Sequence, residues 1–181
     1  HLHACTVTYL QSGRPNDAQK MLKELMAKVK VTPQLLSLSG DIHKAQANLS
    51  AAIDDYRRAT GLAPQVPELH YNLALILFQV SKTTEAKATI DKALKIRSNY
   101  PKALVLLGRC LASMEQFEQA EQAFNKAIKI EPNNYLPHYR LGRLNVHKGN
   151  SDKASESLGR SLQINKQLTP VRKSLILNSI Y

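Results

Sequence analysis

The chain repeats on a 34-residue period. Ala18, Ala52, Ala86, Ala120 and Ala154 keep that spacing without a slip. A strict period of this length marks stacked two-helix units, none of which can bury its apolar face without a neighbour. It predicts an all-α solenoid of antiparallel helix pairs. Folds built on long-range strand pairing are excluded.

Other columns repeat with matched chemistry. Leu22, Tyr56, Ile90, Phe124 and Leu158 follow the alanines by four residues, and Leu25, Ala59, Ala93, Ala127 and Ser161 come three later. Steps of four and three stay on one helix face. A second small column runs through Gly40, Ala74, Gly108 and Gly142, after helix starts at Pro33, Pro67, Pro101 and Tyr135. Small residues let two backbones approach, and a large residue fills the space beside them. The segments Ala103 to Ala112 and Phe117 to Ile130 are predicted to form one such pair across a turn at 113–116. The units fall at about 1–32, 33–66, 67–100, 101–134 and 135–168 of a single array. A further helix over 169–181, capped by Thr169 with Pro170 in its first turn, is either a cap or the start of a sixth repeat.

The copy from Pro101 to Asn134 resembles a tetratricopeptide repeat in every diagnostic column: Leu104, Leu107, Gly108, Leu111, Ala120, Phe124, Ala127 and Pro132. The copies at Pro33, Pro67 and Tyr135 are similar. His70 and His138 replace a large residue near the helix start, and Asn145 stands where a bulky residue is usual. The resemblance covers about residues 1–168. It implies a right-handed superhelix whose first helices line a concave groove, serving as a protein–protein interaction scaffold that binds a peptide or protein surface.

On that resemblance the groove-facing residues are Tyr71, Asn72, Leu75 and Phe78, then Lys102, Val105 and Arg109, then Tyr139, Arg140 and Arg143, with Lys173 continuing the row. Tyr71, Leu75, Phe78 and Val105 would form an apolar floor. Lys102, Arg109, Arg140, Arg143 and Lys173 would form a basic wall around Tyr139. Such a surface suits a protein or peptide of acidic and apolar character. The family's carboxylate-gripping pattern would fall on Ser37, Asp41, Asn72, Lys102 and Leu106. Only Asn72 and Lys102 fit, and Asp41 would repel a carboxylate, so that mode is not expected. The resemblance also implies an alternative, the substrate-recruiting portion of a larger bacterial enzyme.

Charge points the same way. Lysine and arginine number 25 against 14 acids, a net charge of +11. Residues 135–168 hold six of these cations against two acids, a field that draws acidic surfaces. Nucleic acid is disfavoured, because the basic residues are not interleaved with several aromatics along one continuous face.

Catalytic chemistry is not legible. Neither cysteine has a histidine at helical spacing, and Gly108 and Gly142 fall mid-helix rather than in a phosphate loop. No catalytic residue, metal site or cofactor is therefore expected, and the chain reads as a non-enzyme. Asp54, Asp55, Arg57 and Arg58 are expected on a solvated outer face. Cys5 and Cys110 lie three repeats apart and are expected as packed thiols. No apolar run reaches the roughly 18 residues of a membrane span, and the compartment stays open between cytoplasm and periplasm. His1 already lies inside a helix pattern, which reads as an excised piece. Leu175, Ile176, Leu177 and Ile180 surround much of the last helix. A truncated repeat, a homodimer or a domain contact is expected there.

Overall fold

The computed structural model describes residues 2–165. The expected helix at 169–181, Lys173 and any contact through that helix lie outside the described residues. Among those described there are ten helices and no strand, the all-α class that the period predicted.

They fall into two compact units, 2–96 and 97–165. The first holds α1 (Leu2–Gln11), α2 (Pro15–Lys28), α3 (Pro33–Ala45), α4 (Leu49–Leu62), α5 (Pro67–Gln79) and α6 (Thr83–Ile96). The second holds α7 (Pro101–Ser113), α8 (Phe117–Ile130), α9 (Tyr135–His147) and α10 (Ser151–Ile164). Consecutive helices pack as hairpins α1–α2, α3–α4, α5–α6, α7–α8 and α9–α10. Within the units each hairpin also leans on the next, through α2–α3, α4–α5 and α1–α3–α5 in the first and α8–α9 and α7–α9 in the second.

Local signals explain the ends. Proline opens α2, α3, α5 and α7, where its missing N–H costs nothing and its fixed φ suits the first turn. The Thr32 hydroxyl accepts from the Leu35 amide at the start of α3, and the Asn48 side chain accepts from the Ala51 amide at the start of α4. Each hairpin turn carries one left-handed residue at the same register: Gly13, Ala47, Ser81, Glu115 and Gly149, with φ between 59° and 73°. The next amide reaches back to the first helix, as in Asn48 N–H to His43 O at 2.9 Å and Gln116 N–H to Leu111 O at 2.9 Å. This pattern closes a helix by satisfying its orphan carbonyls.

The core follows the alanine columns. Ala18, Ala52, Ala86 and Ala120 have no exposed surface. Small and large residues lock together sixteen positions apart inside a hairpin. A Cβ on Gly40 would sit 2.8 Å from the Tyr56 ring, one on Gly108 2.5 Å from the Phe124 ring, and one on Gly142 2.5 Å from Leu158. The remaining pairs are Ala74 with Ile90, both fully buried, and Thr6 with Leu22, also buried. Where the second helix carries a ring, the first gives up its methyl.

Polar groups pin several helix junctions. In unit 1 the Tyr56 hydroxyl donates to Asp41 Oδ1 at 2.7 Å, and Lys44 reaches the same oxygen at 2.7 Å. Burial first, and then the Asp41 charge, push the Tyr56 hydroxyl well above the ordinary tyrosine range. His43 Nδ1 meets Asp55 Oδ2 at 2.8 Å. That corrects the expectation for Asp55, which is 8% exposed rather than solvated, because its partner comes from α3. In unit 2, Lys148, just after α9, bridges Glu118 and Glu121 of α8 at 3.3 and 3.2 Å. Cys110 is buried and Cys5 half-buried.

Candidate functional site

In unit 1 the candidate residues all lie on α5. Tyr71, Leu75 and Phe78 follow one another by four and three, so they share one face, and each is half-buried. Asn72 is half-buried beside them, and its amide donates to the Ser37 hydroxyl of α3 at 3.4 Å. The same registers on α3 hold Ser37, Asp41 and Lys44. The apolar stripe therefore belongs to α5 and is flanked by polar groups.

In unit 2 the candidates lie on α7 and α9. Lys102 and Arg143 are exposed, while Arg109, Tyr139 and Arg140 are half-buried. Val105 departs from expectation: it is 5% exposed and cannot serve as groove floor. Its register is shared by Tyr71 and Tyr139, which are half-buried; valine is the smaller side chain. Helix α7 also packs on both α8 and α9, so burial spreads around more of its circumference than a single stripe. Leu106, also placed off the burial stripe, is 2% exposed for the same reason.

The structure brings three arginines of unit 2 into one electrostatic cluster. Arg109 and Arg143 occupy the same register on neighbouring first helices, and Arg140 stands one turn before Arg143. The Arg140 guanidinium lies 5.7 Å from the centroid of the Tyr139 ring, within reach of a cation–π attraction. Its Nε is buried without a hydrogen-bond partner. Burial, and then the positive charges of Arg109 and Arg143, hold its pKa below the usual arginine value, with Tyr139 and Tyr135 acting in the opposite sense. Neither α7 nor α9 contains an aspartate or glutamate. The carboxylates that Lys148 meets lie on α8.

The two substituted histidines have packing roles. His70 Nε2 lies 2.8 Å from the Pro64 carbonyl and His138 Nε2 3.1 Å from the Pro132 carbonyl. A carbonyl only accepts, so Nε2 carries the proton in each. Sequence reasoning missed the left-handed turn residue; Gly13 and Gly149, four periods apart, were its visible trace. Among the described residues no cluster of three or more metal-ligating side chains occurs. None of the described helices is long and apolar enough to cross a membrane.

Family models for the tetratricopeptide repeat match residues 67–100, 101–134 and 123–154, and a TPR repeat model matches residues 40–81. Among curated proteins, the formate-dependent nitrite reductase complex subunit NrfG of Escherichia coli O157:H7 is 29% identical over 126 residues, 66% of this chain and 64% of that protein. The chain spans between 10% and 64% of the length of curated relatives it matches. Among solved structures, PilW, a widely conserved type IV pilus biogenesis factor, superposes with a TM-score of 0.85 at 17% identity, over 97% of this chain and 84% of that one. YrrB, described as a TPR protein with an unusual peptide-binding site, gives a TM-score of 0.74 at 18% identity, over 96% of this chain and 87% of that one. These likenesses confirm the fold.

Proposed function

The chain belongs to the tetratricopeptide repeat family, and on that premise we propose that it is a protein-interaction scaffold whose second unit captures an acidic segment of its partner. The observation that carries this reading is the arginine cluster. Arg109, Arg140 and Arg143 stand on two helices that hold no acidic residue, and after burial the charges of Arg109 and Arg143 disfavour the charge on Arg140. An incoming carboxylate relieves that repulsion while accepting forked hydrogen bonds. Tyr139 offers an aromatic surface beside the charges. In the first unit, the Tyr71–Leu75–Phe78 stripe supplies the apolar character expected of a peptide anchor. The YrrB peptide-binding site lends the peptide class further support. On this reading the chain performs no chemistry of its own.

A second reading rests on coverage. Because the chain spans at most 64% of those relatives, it also suits the recruiting portion of a longer enzyme, and a catalytic domain encoded in the same gene would favour that version. The charge test is direct. The double variant Arg109→Glu with Arg143→Glu should weaken partner capture in a pull-down by more than tenfold, on the order of the loss expected when attractive charges become repulsive, while keeping a wild-type circular dichroism melt. Unchanged capture by a folded double variant would reject the assignment.

A further inference from the structure

One polar side chain of unit 2 is left unanswered. Asn145 of α9 is 1% exposed, and its Oδ1 is buried without a hydrogen-bond partner. Such an atom destabilises the fold, because the water it loses on burial is not replaced. The same register holds Leu77 and Leu111, both buried, and His43. His43 is answered on both sides: its Nδ1 meets Asp55 at 2.8 Å, and its Nε2 lies 3.3 Å from the Gln19 amide nitrogen. In unit 2 the registers of Gln19, His43 and Asp55 hold Glu121, Asn145 and Ser157. Asparagine and serine are smaller than the histidine and aspartate they replace, so this trio has no ring at its centre.

A half-open cavity of about 740 Å³ lies among α8, α9 and α10, and Glu121, Asn145 and Ser157 all line it. A Cβ added to Gly159, another lining residue, would meet nothing within 4 Å. The volume is in the range of small-molecule sites. The deeper groups are buried Asn145 with half-buried Glu121 and Ser157. They offer a carbonyl, a carboxylate and a hydroxyl, all of which accept hydrogen bonds. Lys148 holds Glu121 through Oε2, which leaves Oε1 for a ligand. A primary ammonium carries three donors and suits this set. The exposed lining includes Lys153 and Arg160, which suit a carboxylate.

We propose that this cavity binds a small zwitterion of the amino-acid class. Its ammonium meets Asn145, Glu121 and Ser157, and its carboxylate turns toward Lys153 and Arg160. None of these residues belongs to the acidic-segment site, so failure of one reading leaves the other untouched. A ligand held among three helices would stabilise their packing in proportion to its concentration.

The test uses the whole 181-residue chain, labelled with nitrogen-15. NMR follows the Asn145 side-chain amide and the backbone amides of Ser157 and Gly159. Three probes are titrated: 5-aminopentanoate, pentylamine, which lacks the carboxylate, and pentanoate, which lacks the ammonium. The zwitterion should shift all three residues saturably, at a concentration about tenfold lower than either single-charge probe, as expected for a pair of charge-assisted contacts. Asn145→Leu copies Leu77 and Leu111; it should raise the melting temperature and abolish the shifts of Ser157 and Gly159. Lys153→Gln with Arg160→Gln should erase the preference for the zwitterion over pentylamine.

Full binding by a folded Asn145→Leu variant would overturn the site. Pentylamine binding as tightly as the zwitterion would overturn the ligand class in favour of a lone cation, such as a partner's lysine side chain. Pentanoate binding as tightly would overturn it in favour of an anion. No saturable shift with any probe would mean that the cavity holds water alone, and the proposal would fail.

Discussion

Tyr56 shows how much one side chain depends on its surroundings. It is fully buried, its ring takes the space that Gly40 leaves open, and its hydroxyl donates to Asp41 at 2.7 Å. Desolvation and the Asp41 charge both raise its pKa, so the native state holds the neutral phenol. The unfolded chain ionises near pH 10, the ordinary tyrosine value. Because the folded pKa is the higher one, this contribution is complete below about pH 10 and is lost as pH climbs further. Tyr56→Phe should therefore cost about 1 kcal/mol at pH 8, the net worth of the hydrogen bond. The gap to wild type should close by about 1.4 kcal/mol for each pH unit above 10. Thermal melts of both proteins between pH 8 and pH 11 would check this, and a constant gap would refute it. The Asp55 error belongs to this scale as well. Its neighbours Arg57 and Arg58 suggested a wet face, but the residue that claims it, His43, stands twelve positions earlier on another helix. Pattern along one helix carries no trace of such a partner.

At the scale of the hairpin, one rule accounts for the tightest packing: the first helix is small where the second is large. Gly108 faces Phe124 so closely that an added methyl would stand 2.5 Å from the ring. Gly108→Ala should destabilise the protein by about 1–3 kcal/mol through overpacking. The third repeat already contains the compensated form, Ala74 with Ile90, both fully buried. Adding Phe124→Ile to Gly108→Ala should recover part of the loss, a coupling readable in a double-mutant cycle of urea midpoints. Strictly additive effects would show that the two residues do not share this space. Both columns were legible in advance, because a period repeats chemistry as well as spacing. The turn was less so, since alanine, serine and glutamate occupy the left-handed position in three of the five copies, and nothing in those residue types announces a positive φ.

Over the whole chain, the helical class and family were readable from five equivalent copies, each checking the others. The binding residues were harder. They are the positions that break the repeat, so no column predicts their environment, and Val105 shows the cost: one register is half-buried as tyrosine and 5% exposed as valine. What does emerge at this scale is a division of character. The first unit presents an apolar stripe on α5, and the second presents arginines on helices without acids. Capture dominated by the second should be sensitive to salt. Raising ionic strength from about 0.05 M to about 0.5 M shortens the Debye length severalfold and should weaken binding of an acidic peptide about tenfold, measured by fluorescence anisotropy. Salt-insensitive capture would mean that apolar contacts carry the partner.

The sixteen-residue partnership between glycine and ring also bears on how such a protein can be diversified. Exchanging single helices between copies would set Ala74 against the Phe124 ring, or leave a hollow between Gly108 and Ile90. Exchanging intact hairpins preserves both members of each match. Duplication, shuffling or engineered grafting should therefore succeed when the cut falls between hairpins and fail when it falls at the left-handed turn inside one.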